Sequence, residues 1–186
     1  MKFAWYVGLM VLTLTGCAST GSNKSADEKA SQTVLTGPPL GIPMASSKHL
    51  VLNMTGSPEV TAAKDWPKFQ EEWRANFSEY AKSDGVTFEV QSGEAHATGA
   101  PGTLIKVYVN DYRFVGIGSR VMFGVMTGNA YIDAKASYCD LTDGKEIGVR
   151  AYNTSSTAWA GVFAKMTPQQ VDAIGSQVFA ELKSAK

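Results

Sequence analysis

The chain has 186 residues, of which 17 are basic and 17 acidic, so its formal net charge is zero. This balance argues against a nucleic-acid partner, which needs a basic surface, and against binding to anionic lipid by charge alone. The length and an apolar content of 44% are typical of one domain with a single core.

The first sixteen residues have the pattern of a signal peptide. Lys2 supplies a positive charge, and an apolar run extends from Phe3 to Leu14. The run is too short for a membrane-spanning helix, which needs about 20 apolar residues, but it has the length of a signal-peptide core. We therefore predict that residues 1–16 are removed. The alternatives are a secretory peptide with an unrelated cysteine after it and a short buried helix.

The next motif, Leu14-Thr15-Gly16-Cys17, resembles the lipobox of bacterial lipoproteins. The resemblance implies cleavage between Gly16 and Cys17 and a thioether from the Cys17 thiol to diacylglycerol. Because two or more acyl chains anchor a protein stably, the membrane is an expected partner. Ala18 stands where, by resemblance to the sorting rule of enteric-type bacteria, an aspartate would favour the inner membrane. The resemblance therefore implies the outer membrane, with the domain facing the periplasm.

Residues 17–47 are predicted to form the lipidated cysteine and a disordered or extended tether. Residues 18–33 are rich in Ser, Thr, Ala and charged side chains and contain no aromatic residue, a composition typical of disorder. Proline and glycine recur between Val34 and Ser47, which indicates an extended lead-in to the domain. We place a single α/β domain at residues 48–186.

An aromatic stripe predicts the first helix of this domain, over residues 65–83. Asp65 is its predicted N-cap and Gly85 its stop. The stripe could fill a partner's groove, but core packing is the more common role of such a face in a small domain. Its rings recur at steps of three and four residues, at Trp66, Phe69, Trp73, Phe77 and Tyr80.

Five segments have the composition of strands: residues 49–54, 86–91, 103–115, 130–141 and 145–155. The first half of the third segment is apolar on both faces, which predicts a central strand. Asp143-Gly144 predicts a two-residue hairpin turn, and Asp140 and Asp143 are expected to bond to the turn backbone. This turn would pair Tyr138 with Val149, Ser137 with Arg150 and Ala136 with Ala151.

A second helix is predicted at the end of the chain, with Thr167 as N-cap, Pro168 in its first position and Gln170 in a capping box. Val171, Ile174, Val178 and Leu182 form its buried stripe. The order β-α-β-β-β-β-α predicts an α+β (α/β-like) fold, a single mixed sheet of about five strands with two packed helices.

Catalytic and metal-binding motifs are absent from the sequence. His49 and His96 lack the spacing of metal ligands, so we expect no catalytic residue, no metal and no cofactor. Once Cys17 carries lipid, Cys139 has no disulfide partner within the chain. Its place in an apolar strand favours a buried, inert thiol over one that pairs with another chain.

The segment from Phe114 to Asn129 combines four glycines with large apolar side chains and a single charge. It is a poor nucleotide-binding loop, because Val121 stands where the third glycine is required. It is also too short for a membrane span. We interpret it as a glycine-kinked strand and loop, in part a candidate partner surface formed by Met122, Phe123 and Met126.

Four stretches, residues 118–128, 140–144 and 155–161 and the helix from Thr167, resemble the bacterial lipoprotein family called domain of unknown function 4410. That family is similar in layout to small α/β domains of envelope lipoproteins, which are binding modules. The resemblance implies a non-enzymatic accessory or binding module whose partner is another envelope protein or a cell-wall component. One alternative is a small envelope hydrolase that uses His49, His96 or paired carboxylates. In another, residues 114–129 enter the membrane or assemble a ring.

Overall fold

The computed structural model describes residues 31–34, 38–115, 128–155 and 166–186. Within them, six strands form one sheet, and two long helices pack on it. The strands are β1 (Ser31–Val34), β2 (His49–Gly56), β3 (Thr87–Gln91), β4 (Thr103–Arg113), β5 (Tyr131–Asp140) and β6 (Glu146–Ser155). The helices are α1 (Pro58–Thr61), α2 (Trp66–Asp84) and α3 (Met166–Lys183), with a 3-10 turn at Met44–Ser46.

The sheet is mixed, with the strand order β1-β6-β5-β4-β2-β3. β2 runs parallel to both of its neighbours, β3 and β4, and the remaining pairs are antiparallel. The predicted α+β class, the five predicted strands and the two helices are confirmed, in the predicted order. β4 occupies a central position, as its apolar first half predicts. β1 adds a sixth strand from the segment predicted to be tether.

Both long helices cover one face of the sheet, where the main core lies. The aromatic stripe of α2 is buried through Trp66, Phe69, Trp73 and Phe77, which confirms core packing as its role. Burial of each such ring stabilises the fold by about 1.5–3 kcal/mol. The predicted stripe of α3 is confirmed as well, at Val171, Ile174, Val178 and Leu182. The opposite face carries a small cluster of Val51, Leu104, Cys139 and Leu141.

A β-bulge in β4 changes which face its second half presents. The register against β5 shifts between Val109 and Asp111, which adds one residue and reverses the alternation of side chains. Tyr112 therefore lies on the helix face, and its ring stacks on Phe69 with centroids 4.2 Å apart. Strict alternation from Ile105 would place Tyr112 on the other face, and the bulge is the reason that it does not lie there.

The connection between β5 and β6 is tight but longer than two residues, because it spans residues 141–145. Asp140 Oδ1 accepts a hydrogen bond from Thr142 N at 2.8 Å, and Asp143 Oδ1 accepts one from Lys145 N at 2.9 Å. These bonds confirm the predicted roles of the two aspartates. Gly144 has a left-handed φ of +79°, which favours glycine.

The longer turn and a bulge between Tyr138 and Cys139 shift the hairpin register by one residue from the predicted pairing. Arg150 consequently lies on the helix face and is nearly buried, whereas Ala151 is exposed. Since side chains alternate along a strand, a slip of one residue exchanges the faces of β6. The observed pairs are Tyr138 with Gly148, Ser137 with Val149 and Ala136 with Arg150.

The lead-in before β2 belongs to the packed structure. Leu40 and Ile42 are buried in the main core, so the domain begins before the predicted boundary at Lys48. Arg150 Nη2 donates a hydrogen bond of 2.6 Å to the Pro38 carbonyl, and the guanidinium also forms an ion pair with Glu181. A buried charge must be paired in this way, and the lead-in supplies part of the pairing.

Candidate functional site

The residues predicted to carry function at the N-terminus and in the glycine-rich segment lie outside the described residues. This applies to Gly16, Cys17, Met122, Phe123 and Met126, whose roles stay predictions. No helix in the described part of the chain is long and apolar enough to cross a membrane.

The two histidines do not come together. His49 pairs with Thr87 at the first residue of β3, and its Nε2 lies 3.3 Å from Glu89 Oε1. His96 is exposed, and its backbone exchanges two hydrogen bonds with Gln91, at the other end of β3. Across residues 38–115, 128–155 and 166–186, no group of three or more His, Cys, Asp or Glu side chains could hold a metal ion. Because the two histidines lie at opposite ends of β3, they cannot act together in one hydrolase site.

Cys139 is a free, fully buried cysteine in β5. Burial raises the pKa of its thiol, the opposite of what a nucleophilic cysteine requires. The prediction of a buried side chain is confirmed, and the raised pKa agrees with an unreactive thiol.

A candidate binding groove, which we call the β3 groove, lies on the described surface between the first half of α2 and the strand pair β2–β3. Its volume is about 280 Å³, slightly below the usual range of small-molecule sites, about 300–1,000 Å³. Val90, one of the lining residues, is 46% exposed. The groove is lined by Leu52, Met54, Pro67, Gln70, Glu71, Arg74, Val90, Gln91, Ser92 and Gly93.

β3 is the last strand of the sheet, and no described strand pairs with its outer edge. An edge strand presents backbone donors and acceptors that can pair with an added strand. In recognition of this kind, backbone hydrogen bonds supply affinity and adjacent pockets select alternate side chains. The open edge and the small β3 groove therefore suit an extended peptide better than a compact small molecule.

The charges on the groove wall neutralise each other. Arg74 Nε donates to Glu71 Oε2 at 2.8 Å and Arg74 Nη2 donates to Glu71 Oε1 at 2.5 Å. The hydrogen bond from Arg74 lowers the pKa of Glu71, so its carboxylate is ionised at neutral pH. Because Arg74 and Glu71 bond to each other, neither offers an unpaired charge to a ligand. The apolar side chains of Leu52, Met54 and Val90 complete the lining, so the groove favours an apolar side chain of the ligand.

A buried asparagine, Asn53, holds the end of β3 that lines the groove. Asn53 Nδ2 donates to the carbonyls of Gln91 and Gly93, both at 3.0 Å, which holds the chain where it leaves β3. The alternation of Val86, Phe88 and Val90 gave no sign that Val90 is exposed. The one sequence signal is Asn53 itself, a polar residue inside an apolar strand, because such a residue usually bonds to a neighbouring backbone.

A second polar cluster, which we call the end cluster, joins the ends of β4, β5 and β6 to the start of α3. Thr167 Oγ1 accepts from Val115 N at 2.9 Å. Gln170 Nε2 donates to the Ala130 carbonyl at 2.7 Å, and Gln170 Oε1 accepts from Thr154 Oγ1 at 3.1 Å. The predicted capping box is therefore wrong: α3 begins at Met166, and both side chains satisfy buried groups of other elements.

The helix start at Asp65 shows the same preference for tertiary partners. Asp65 occupies the predicted N-cap position of α2, but its side chain makes no capping bond. Its Oδ1 accepts from the Tyr112 hydroxyl at 2.6 Å instead. Burial and this bond raise the pKa of Tyr112. The helix stop at Gly85 is confirmed, with a left-handed φ of +64°.

Comparison with solved structures finds the same fold in PelC. The PelC dodecamer from Paraburkholderia phytofirmans matches with a TM-score of 0.50 and 10% identity, over 83% of this chain and 99% of that one. A dodecamer of a single-substitution variant of the same PelC matches with a TM-score of 0.47 and 11% identity, over 84% and 98%. Protein XCC0632 from Xanthomonas campestris, assigned to domain of unknown function 330, gives 0.45 and 11% over 82% and 95%.

No protein-family model and no curated protein matches the chain. Membership in domain of unknown function 4410 therefore stays a proposal based on the sequence motifs.

Proposed function

We propose that the protein is a lipoprotein of the outer membrane, anchored through Cys17 and facing the periplasm. Its domain acts as a non-enzymatic accessory or binding module of the cell envelope. The lipobox Leu14-Thr15-Gly16-Cys17 is the observation that carries the proposal. The fold shared with PelC and the β3 groove beside an open sheet edge support the binding role.

Metabolic labelling with a fatty-acid probe tests the anchor. We expect the wild-type protein to incorporate the probe, whereas Cys17→Ser accumulates as an unlabelled precursor of higher mass. Cys139→Ala is the matched control, because it removes the other cysteine and leaves the lipobox intact. Undiminished labelling of Cys17→Ser would contradict the proposal.

Membrane fractionation tests the destination. Ala18→Asp places an aspartate directly after the lipidated cysteine, so we expect the variant to move from the outer to the inner membrane. Ala18→Ser is the control, because it changes the same residue without adding a charge. Equal distribution of the Asp and Ser variants would show that Ala18 does not select the membrane.

Partner binding has two candidate surfaces, the β3 groove and the segment with Met122, Phe123 and Met126. A photo-crosslinking residue at Val90 or at Met122 tests each of them in living cells. Tyr108 is the control position, because it is 45% exposed, close to the 46% of Val90. We expect one envelope partner, or cell-wall material, to be captured from Val90 or Met122 and not from Tyr108.

Capture of the same material from all three positions, or none from any, would contradict a specific binding site. If the captured protein is a second copy of the chain, the module binds by self-assembly, as the PelC dodecamer does.

A further inference from the structure

The position of β1 shows where the chain enters the domain. Ser31 pairs with Ser155, Ser155 with Tyr131, and Tyr131 with Arg113. These four residues form one row across β1, β6, β5 and β4, at one end of the sheet. We call this the tether end, because Ser31 is the described residue nearest in sequence to Cys17. The opposite end, with the β5–β6 turn, is the hairpin end.

From Ser31 the lead-in runs along the sheet toward the hairpin end. Its successive contacts with β6 lie progressively closer to the β5–β6 turn: Val34 pairs with Tyr152, and the Pro38 carbonyl accepts a hydrogen bond from Arg150. Finally, the Ser46 carbonyl accepts from the hydroxyl of Thr103, the first residue of β4, at 2.9 Å. The described parts of this segment therefore contact the sheet from the tether end to the hairpin end, and Ser31 lies at the end where these contacts begin.

Two further connections of the chain, between residues 115 and 128 and between residues 155 and 166, begin and finish at the tether end. Val115 and Gly128 bound one of them, and Gly128 lies against the Arg113 guanidinium. Ser155 and Met166 bound the other, and the end cluster ties Val115 to Thr167 directly after Met166. Both connections therefore leave and rejoin the described fold at the tether end.

We propose that the tether end of the domain faces the membrane surface and the hairpin end points into the periplasm. This inference rests on the proposed lipidation of Cys17. About 14 residue steps separate Cys17 from Ser31, which limits the connection to roughly 50 Å when fully extended. A flexible chain of this length has a root-mean-square reach of only about 20 Å.

The reach of the connection favours one orientation. β4 has 11 residues, so the two ends of the sheet are about 33 Å apart. To bring the hairpin end to the bilayer, the connection would have to pass along that whole length, well beyond its root-mean-square reach. Charge does not select an end, because each end carries both signs. At the tether end, Lys64 adjoins Asp65, which bonds to Tyr112, and Asp133 pairs with Asp111. Asp143 and Lys145 lie in the turn at the hairpin end.

Energy transfer from the lipidated, full-length protein to the membrane tests this orientation. Lys64→Cys and Lys145→Cys are matched exposed positions for a donor dye, at the tether end and the hairpin end respectively. Cys139 is fully buried and does not compete for the dye. The labelled protein is placed in vesicles of phosphatidylethanolamine and phosphatidylglycerol with an acceptor on the headgroups.

We expect at least about twofold more transfer from Lys64→Cys than from Lys145→Cys, because the ends are about 33 Å apart. Equal transfer, or more from Lys145→Cys, would overturn the orientation and leave the anchor standing. Failure of the protein to bind the vesicles would overturn both the anchor and the orientation. A Gly/Ser insertion between Ala30 and Ser31 should reduce the difference, and an unchanged difference would contradict control by the tether.

Discussion

Two tyrosine hydroxyls share a hydrogen bond of 2.8 Å in the core, between Tyr138 on β5 and Tyr152 on β6. Both side chains are almost completely buried. A buried hydroxyl without a partner is costly, whereas replacing both partners by apolar groups of the same shape is nearly neutral. The pair is therefore expected to respond to substitution as a unit.

Tyr138→Phe should lower the free energy of unfolding by about 1–3 kcal/mol, because it leaves the Tyr152 hydroxyl buried without its partner. The double variant with Tyr152→Phe should regain part of that loss. Urea unfolding of the wild type, the two single variants and the double variant completes the cycle. Strictly additive losses would contradict coupling between the hydroxyls.

The same pair predicts a loss of stability in alkali. Burial raises the pKa of Tyr152 from 10.0 to about 12, and burial also raises the pKa of Tyr138. Above pH 10 the unfolded chain releases the phenol protons while the folded chain keeps them, so the free energy of unfolding falls as pH rises from 10 toward 12. Their contribution is fully present below pH 10.

Unfolding curves at several pH values between 8 and 12 measure this effect, with the double Phe variant as control. The wild type should lose more stability than the double variant above pH 10. Parallel curves for the two proteins would show that these tyrosines do not cause the alkaline loss.

At the scale of elements, the lead-in behaves as part of the domain. Leu40 and Ile42 lie in the core, and Leu40 N donates to Glu181 Oε2 at 3.1 Å. At the other end of the chain, Met44 N donates to the Lys186 carbonyl at 3.0 Å and Lys186 N donates to the Ile42 carbonyl at 3.1 Å. The lead-in therefore packs against both the last turn of α3 and the residues after it, and the two segments stabilise each other.

A chain shortened to begin at Lys48 should be much less stable than one that begins at Ser31. Burial of Leu40 and Ile42 contributes about 1.5–3 kcal/mol each, and the Arg150–Glu181 pair would lose its lead-in partners. Thermal unfolding by circular dichroism measures the difference. Leu40→Ala with Ile42→Ala in the longer chain should reproduce part of the loss, and equal melting temperatures would contradict the account.

Sequence patterns predicted the elements of this fold better than their exact pairing. The aromatic stripe from Trp66 and the apolar stripe from Val171 repeat over several turns, and such long signals identify helices and their buried faces. A β-bulge adds one residue without a distinct sequence pattern, so the place of Tyr112 and the hairpin register of Arg150 could not be derived.

The candidate site was less predictable, because it depends on tertiary neighbours. Thr167 and Gln170 match a capping box locally, but buried backbone groups of Val115 and Ala130 compete for the same side chains. Val90 alternates like a buried residue, and only its place on an edge strand exposes it. The β3 groove is therefore visible only after the sheet order is known.

At the scale of the whole molecule, we propose a lipid on Cys17, a tether after it, and an α+β domain whose sheet includes β1 at the end of that tether. The described residues explain the fold and form a groove that suits an extended peptide, and the proposed location rests on the lipobox. Cys17 is the residue on which the proposed location and the proposed orientation both depend.

The mass of the N-terminal tryptic peptide of the mature protein, Cys17–Lys24, shows whether Cys17 is the lipidated first residue. We predict a peptide that begins at Cys17 and carries a thioether-linked diacylglyceryl group, with an amide-linked acyl chain on the freed amine. A mature protein that begins at another residue, or an unmodified Cys17, would contradict it.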